Sequence, residues 1–365
     1  MGFNCGIVGL PNVGKSTIFN ALTRGQALAA NYPFATIDPN VGVIAVPDKR
    51  LEVLTEIVPT KKVVPTTVEV VDIAGIVKGA SAGEGLGNQF LSHIAEVDAI
   101  IEVVRCFEDK DIIHVSGSID PERDMDIIRT ELILRDLDVL SKHKARLEKA
   151  VRAGDKKAQQ AMSLLERFEK TFNEGEPARA VKLTAEEKAS LKEVNFVTAK
   201  PVLFAANVAE GELGGPDSAH VAAVRARAKK EGASVIKISG KVEEEISKLE
   251  PGEREEFLKA MGLQESGLDQ LAREGYKVLD LITFFTVGET ENRAWTVARG
   301  STAPQAAGKI HSDFEKGFIR AETVSYEDFL KYRGEQGAKE KGRFRLEGKE
   351  YVVQDGDILH FRFSI

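Results

Sequence analysis

The sequence predicts an α/β fold built on a mostly parallel sheet, interrupted by an antiparallel helical hairpin and followed by a small α+β domain. Three observations predict it. Short apolar runs bounded by Gly or turn residues recur at residues 3–8, 41–46, 68–73, 99–104, 202–206 and 235–238, with helical patterns between most of them. Strands alternating with helices read as a sheet covered by helices on both faces. Between residues 124 and 195 the strand signal stops and a helical apolar period replaces it, and from residue 280 onward short strand-like runs dominate. These changes divide the chain into an α/β domain (residues 1–125 and 196–262), a helical insertion (126–195), a helical linker (263–279) and a C-terminal domain (280–364).

The first strand leads directly into Gly9-Leu10-Pro11-Asn12-Val13-Gly14-Lys15-Ser16, followed by Thr17 and a helical pattern. GxxxxGK[ST] between a strand and a helix is the phosphate-binding P-loop. Its glycines let main-chain N–H groups close around a β-phosphate, and the helix N-terminus adds its dipole. Lys15 reaches the β- and γ-phosphates and the Ser16 hydroxyl suits Mg²⁺. The α/β part is therefore expected to be a P-loop NTPase fold.

The next elements extend this site. Residues 68–73 form a strand ending in Asp72, followed by Ala74 and Gly75. An aspartate there can hold a Mg²⁺-bound water, and the glycine N–H can meet a γ-phosphate. Before it, in Tyr32-Pro33-Phe34-Ala35-Thr36, Thr36 stands where switch-type NTPases close a hydroxyl over Mg²⁺ in the triphosphate state. Ile76 occupies the position where many switch GTPases carry a water-positioning Gln. An isoleucine cannot orient water, so hydrolysis needs another group or a partner, or is slow. After the strand at 202–206 comes Asn207-Val208-Ala209-Glu210, where guanine-specific proteins carry NKxD. Without that aspartate the bidentate acceptor for guanine is lost. Asn207 can instead meet an adenine 6-amino group or N7, and Val208 can pack on the base face. This favours ATP over GTP, with Ser239-Gly240 after the next strand completing the base pocket.

In the insertion, Ile133, Leu137, Leu140, Leu147 and Val151 face a second row of Ala158, Ala161, Leu165, Phe168 and Phe172 across the turn Ala153-Gly154-Asp155. Two seams joined by a short turn predict a coiled-coil-like hairpin. Its tip holds Lys142, Lys144, Arg146, Lys149, Arg152, Lys156 and Lys157 against Glu148 and Asp155, a local excess of five positive charges. The whole chain has a formal charge of −7, so any nucleic-acid contact must use such a local patch. In the C-terminal part, residues 281–287, 293–298, 319–324, 344–346, 351–353 and 358–363 read as strands and 303–310 as a helix.

No apolar run approaches a membrane span, and the first apolar run leads into the P-loop rather than a cleavage site, so neither a membrane nor a secretory address is expected. Gly2 lacks the Ser or Thr at position 6 that myristoylation requires. Cys5 and Cys106 lie in or beside strand-like runs without metal-ligand spacing, as reduced thiols of a cytoplasmic protein would.

GLPNVGKST, YPFATIDPN, DIAGIVKGASAGEGLGNQF and NVAE, at these intervals, resemble the YchF/Obg-like ATPase family over essentially the whole chain. The resemblance implies an OBG-type G domain that hydrolyses ATP to ADP and phosphate, an inserted helical domain and a C-terminal TGS domain of β-grasp shape. It implies Mg²⁺ on Ser16 and Thr36. It implies nucleotide contacts from Asn12, Val13, Gly14, Lys15, Ser16 and Thr17, and base contacts from Asn207 and Val208. It also implies ribosome association (70S and 50S), with rRNA or tRNA as partner of a monomeric protein. A histidine after the fourth strand has been considered in this family as substitute for the missing Gln. Here that position is His114, the one catalytic candidate.

Overall fold

The structure is a computed structural model describing residues 3–28, 40–73, 93–109, 111, 112, 114, 117–191 and 194–364, with residues 25–28 and 251 described by backbone alone. Its strands are β1 (Asn4–Val8), β2 (Val41–Ala45), β3 (Val63–Val64), β4 (Thr67–Asp72), β5 (Ala99–Arg105), β6 (Val202–Asn207), β7 (Ser234–Ile238), β8 (Leu281–Thr286), β9 (Asn292–Ala298), β10 (Phe318–Val324), β11 (Arg345–Glu347) and β12 (Ile358–Phe363). The helices are α1 (Lys15–Leu28), α2 (Lys49–Ile57), α3 (Pro121–Arg152), α4 (Lys156–Asn173), α5 (Ala185–Ser190), α6 (Ala219–Glu231), α7 (Gly240–Ile246), α8 (Pro251–Ala260), α9 (Gly267–Val278), α10 (Ala303–Ile310), α11 (Ser312–Lys316), α12 (Tyr326–Lys331) and α13 (Glu335–Glu340).

The first sheet runs β2-β4-β1-β5-β6-β7, parallel except for β2, which pairs antiparallel with β4. β1, β5 and β6 are apolar apart from Asn4, Glu102, Arg105 and Asn207, because both of their faces are covered. Cys5, Ile7, Ile101, Val103, Phe204 and Ala205 are all buried there. The chain leaves β1 toward β4 on one side and returns as β5 on the other. This is a topological switch point, and the crevice beyond the C-terminal strand ends opens there.

α9 departs from the expected linker at 263–279. It lies across β7, β6, β5, β4 and β2, with Leu271 and Ala272 buried in the first core. Leu268, Leu271, Ala272, Gly275 and Tyr276 recur at three- and four-residue steps. Such an apolar stripe makes a layer helix rather than a spacer.

The insertion forms as its period predicts. Asp120 caps α3 by accepting from Arg123 N (3.1 Å), and Asp155 caps α4 by accepting from Lys157 N and Ala158 N (2.8 and 3.1 Å). Between them Gly154 sits at φ +82°, which closes the turn. Ile133, Leu140, Leu165, Phe168 and Phe172 share one core with Phe196. Each such side chain removed from water contributes about 1.5–3 kcal/mol. Lys144, the polar member of its row, pairs with Glu169 across the hairpin at 2.7 Å. The root is not separate from the α/β domain, since Met125, Ile128 and Leu132 of α3 pack in the first core. The buried Asp136 accepts from Val197 N, Thr198 N and Thr198 Oγ1 (2.9, 2.8 and 2.6 Å), which fastens α3 to the chain entering β6.

The second sheet runs β11-β10-β12-β8-β9-β3. One face packs on α10 through Phe284, Val297, Phe361 and Ala307. The other packs on α2, α12 and α13 through Leu51, Leu54, Phe285, Phe329, Ala338 and Ile358. The strand expected at 351–353 is reduced to one bridge, Thr302 to Val352. A larger difference concerns residues 49–64, expected within the α/β domain. β3 pairs parallel with β9, and α2 belongs to the second core. Asn292 seals the joint: its N–H donates to Lys62 O and its Nδ2 to Val58 O, both at 2.9 Å. The connection between β2 and β4 is thus built into the C-terminal domain.

Candidate functional site: the P-loop crevice

The P-loop sits at the switch point between β1 and α1. Asn12 (φ +62°) and Gly14 (φ +92°) both take left-handed conformations. Gly14 is required twice over, because a Cβ there would lie 2.1 Å from Asn207 Nδ2. Asn207, 4% exposed, explains that crowding. Its Nδ2 donates to Val13 O (2.8 Å), and its Oδ1 accepts from Gly240 N (3.0 Å). On the neighbouring strand, Arg105 reaches the preceding carbonyl, Asn12 O, at 3.5 Å. A trans peptide plane sets its N–H opposite its C=O. Holding the carbonyls of Asn12 and Val13 toward the strand ends therefore turns the N–H groups of Val13 and Gly14 the other way. They face the side where Asn12 and Ser16 are exposed. Outward N–H groups at a helix N-terminus form an anion cradle.

The charges around the cradle are placed by β4. Asp72 ends that strand, and its carboxylate pairs with the Lys15 ammonium. The exposed Ser16 hydroxyl opens the first turn of α1. Oxygen donors from a hydroxyl and a carboxylate beside a phosphate cradle suit a hard cation such as Mg²⁺. The residues present fit the ion that the sequence implies. Thr17 packs at the start of α7, where Gly240 leaves room for it and for Ile18.

The base-side residues differ from expectation. Val208 is 2% exposed and packs within the first core, its N–H donating to Ile238 O. Its side chain is therefore not open to lie on a base. Asn207 already uses both ends of its amide on the P-loop and the α7 turn, a role that the sequence reading did not assign. Ser239 is buried beside Gly240, and Glu210 is exposed in a short turn that Glu212 closes by accepting from Ala209 N (3.2 Å). Thr36, Gly75 and Ile76 lie outside the described residues.

His114 is 6% exposed and donates through Nε2 to Asp124 Oδ2 at 2.8 Å. Asp124 is also buried and accepts from Arg123. In this arrangement the imidazole is enclosed against the first turn of α3 and presents no face to solvent. Two participants that sequence reasoning missed are Arg105 and Asp124. The one signal for Arg105 was a cation ending a mostly apolar strand.

Comparison with known proteins agrees with this geometry. A family profile described as 50S ribosome-binding GTPase matches residues 4–159. A second, for the C-terminal part of YchF GTPases and described as a protein of unknown function, matches residues 281–364. The ribosome-binding ATPase YchF of Bacillus subtilis (strain 168) is 54% identical over 366 residues, covering all of both chains. That of Escherichia coli O157:H7 is 53% identical over 365 residues, again covering all of both. The solved structure of the Schizosaccharomyces pombe YchF GTPase superposes with a TM-score of 0.90 at 39% identity, covering 99% of this chain and 98% of that one. A P-loop held from behind by two strand ends, on a chain that aligns from end to end with these relatives, makes this protein a member of the YchF family.

Proposed function

We propose that the chain is a Mg²⁺-dependent ATPase that hydrolyses ATP to ADP and phosphate and uses its nucleotide state to control binding to the ribosome (70S and 50S). The observation that carries the nucleotide reading is the cradle itself. Asn207 and Arg105 hold two successive P-loop carbonyls, so that the Val13 and Gly14 N–H groups face the open side beside Lys15 and Ser16. Bound Mg²⁺ would supply charge neutralisation between the β- and γ-phosphates, held by Ser16 and Thr36 with Asp72 orienting its water. Lys15 leaves Asp72 for the phosphates when nucleotide enters. Turnover is slow, because Ile76 cannot position water. His114 can take that part only if residues 106–114 carry it away from Asp124.

Adenine is favoured over guanine because Val208 and Glu210 stand where a guanine site needs Lys and Asp. The names of the relatives divide on this point, ATPase for the bacterial proteins and GTPase for the fission-yeast structure, so the GTPase reading is the alternative. Titration calorimetry with ATP and with GTP in Mg²⁺ separates them. ATP should bind more tightly, and equal dissociation constants would remove the ATP reading. The ribosome as partner is supported by the names of the bacterial relatives and by the basic hairpin tip. rRNA or tRNA is the chemistry that such a tip suits. A monomer in the cytoplasm is the corresponding state. No helix among the described residues is long and apolar enough to cross a membrane. A binding module with incidental turnover is distinguished by ribosome pelleting. An ATPase switch should pellet differently with ADP than with a non-hydrolysable ATP analogue.

A further inference from the structure

β5 is buried along its whole length, and it ends in a cation. Arg105 is 1% exposed. Burying a guanidinium costs several kcal/mol unless its donors are satisfied, and a buried charge normally finds an acid. Among the described residues, the hydrogen-bond acceptors of Arg105 are main-chain carbonyls. Nε donates to Phe107 O (3.2 Å), Nη2 to Asp109 O (3.3 Å) and Ile112 O (3.0 Å), and Nη1 more distantly to Asn12 O (3.5 Å). The Phe107 ring lies 4.6 Å from its Cζ. Three carbonyls of the segment after β5 and one of the P-loop therefore meet a single rigid fork.

Core packing alone would be served at lower cost by Leu or Met at this strand end. Only guanidinium has five donors in a fixed plane, so only Arg can tie a folded-back segment and a neighbouring loop together from one point. The register reinforces the link. Arg105 pairs with Asn207 across β5 and β6, and Cys106 N donates to Asn207 O (2.8 Å). The two side chains that hold successive P-loop carbonyls thus stand side by side. Arg105 also holds the segment that leads to His114.

We infer that Arg105 is a positioning residue for nucleotide hydrolysis. It ties the P-loop corner at Asn12 to the carbonyls of Phe107, Asp109 and Ile112, so that the segment leading to His114 is held in a fixed register against the P-loop during turnover. The inference rests on the ATP-hydrolysing reading above. Asn207 grips the P-loop at a shorter distance, so Arg105 acts more on the alignment of the segment than on nucleotide affinity.

The test compares the full-length parent with Arg105→Lys and Arg105→Gln. Single-turnover hydrolysis of Mg²⁺·ATP, ATP affinity and amide hydrogen exchange are measured for each. A displacement of about 1 Å at a reacting group can cost a hundredfold in rate. Turnover should fall roughly tenfold or more in both variants, with ATP affinity changed less than about threefold. Exchange should rise in residues 106–112 and stay at the parent level in β5 and α6. Lysine should not rescue, because one ammonium cannot span the three carbonyls. Parent-like turnover in Arg105→Lys would overturn the inference. So would a loss in both variants that runs parallel with ATP affinity and with faster exchange throughout β5, since that is a packing defect. If the parent itself hydrolyses no ATP, the ATPase reading fails, and the exchange in residues 106–112 alone decides whether Arg105 orders that segment.

Discussion

Asn207→Ala isolates the grip on the P-loop. The substitution removes two hydrogen bonds at once, Nδ2 to Val13 O at 2.8 Å and Gly240 N to Oδ1 at 3.0 Å. Each group left without a partner costs about 1–3 kcal/mol when buried. Both bonds are buried, so neither loss is relieved by bulk solvent. The expected destabilisation is therefore about 2–6 kcal/mol, a large share of the ~5–15 kcal/mol that holds a domain folded. Urea denaturation monitored by tryptophan fluorescence and by circular dichroism measures it. The functional consequence is sharper. Without the grip, the Val13 peptide plane is free to turn and the Gly14 N–H no longer faces the phosphates. ATP, GTP and inorganic tripolyphosphate should then all lose affinity by a similar factor in calorimetry. If ATP weakens while tripolyphosphate binds as in the parent, Asn207 reads the base and the reasoning fails. A stability change under about 0.5 kcal/mol would refute the energetic part, since it is the size expected of an ordinary surface substitution.

Lys15→Ala and Ser16→Ala should each abolish Mg²⁺-dependent ATP turnover while leaving the circular dichroism spectrum unchanged, because both side chains border the crevice rather than the core. His114→Ala should lower the urea stability by about 1–3 kcal/mol, since buried Asp124 loses its 2.8 Å partner. An unchanged midpoint would contradict that pairing. Burial, with a further contribution from the Glu231 charge, pushes the Glu102 carboxyl from 4.5 up to about 8, against the pull of Arg179 and Arg227. The folded chain then keeps a proton that the unfolded chain releases, so this group makes stability fall as pH rises between about 4.5 and 8, by at most roughly 1.4 kcal/mol per unit. Glu102→Gln should match the parent near pH 5 and exceed it near pH 8.5, and parallel stability curves for the two proteins would dismiss the idea. Glu243, pushed to about 7 by burial, adds a slope of the same sign that both proteins share. Replacing Lys149, Arg152, Lys156 and Lys157 by Gln should weaken ribosome pelleting and flatten its salt dependence, by about one unit of log–log slope for each phosphate that is no longer neutralised. Pelleting equal to the parent at every salt concentration would leave the tip as a solvated surface.

The charges at that tip show how far local reading extends. Seven cations were legible in the sequence, but the fold pairs three of them with nearby acids: Lys142 with Asp138, Lys144 with Glu169 and Arg152 with Glu148. Arg146, Lys149, Lys156 and Lys157 stay exposed, with no ion pair among the described residues.

Features written in contiguous residues were determined by the sequence alone. The P-loop is eight consecutive positions in which Gly9 and Gly14 stand where a Cβ would not fit. The hairpin is a period of three and four that only a helix can bury on one face. Apart from Asn4, Glu102, Arg105 and Asn207, the β1, β5 and β6 runs are apolar because a parallel sheet hides both sides. What the tertiary structure decided are pairings between distant residues through groups that carry no sequence label. Val13 O and Asn207 Nδ2 are 194 positions apart, and one partner is a main-chain carbonyl that every residue possesses. The acceptors of Arg105 are of the same kind. β3 is two valines whose ladder partner, β9, begins at Asn292, so its assignment to the C-terminal sheet depends on where α2 finds an apolar surface. Periodicity marks which face of an element must be buried. Which distant surface buries it, and which carbonyl a buried donor reaches, is settled only when the layers pack.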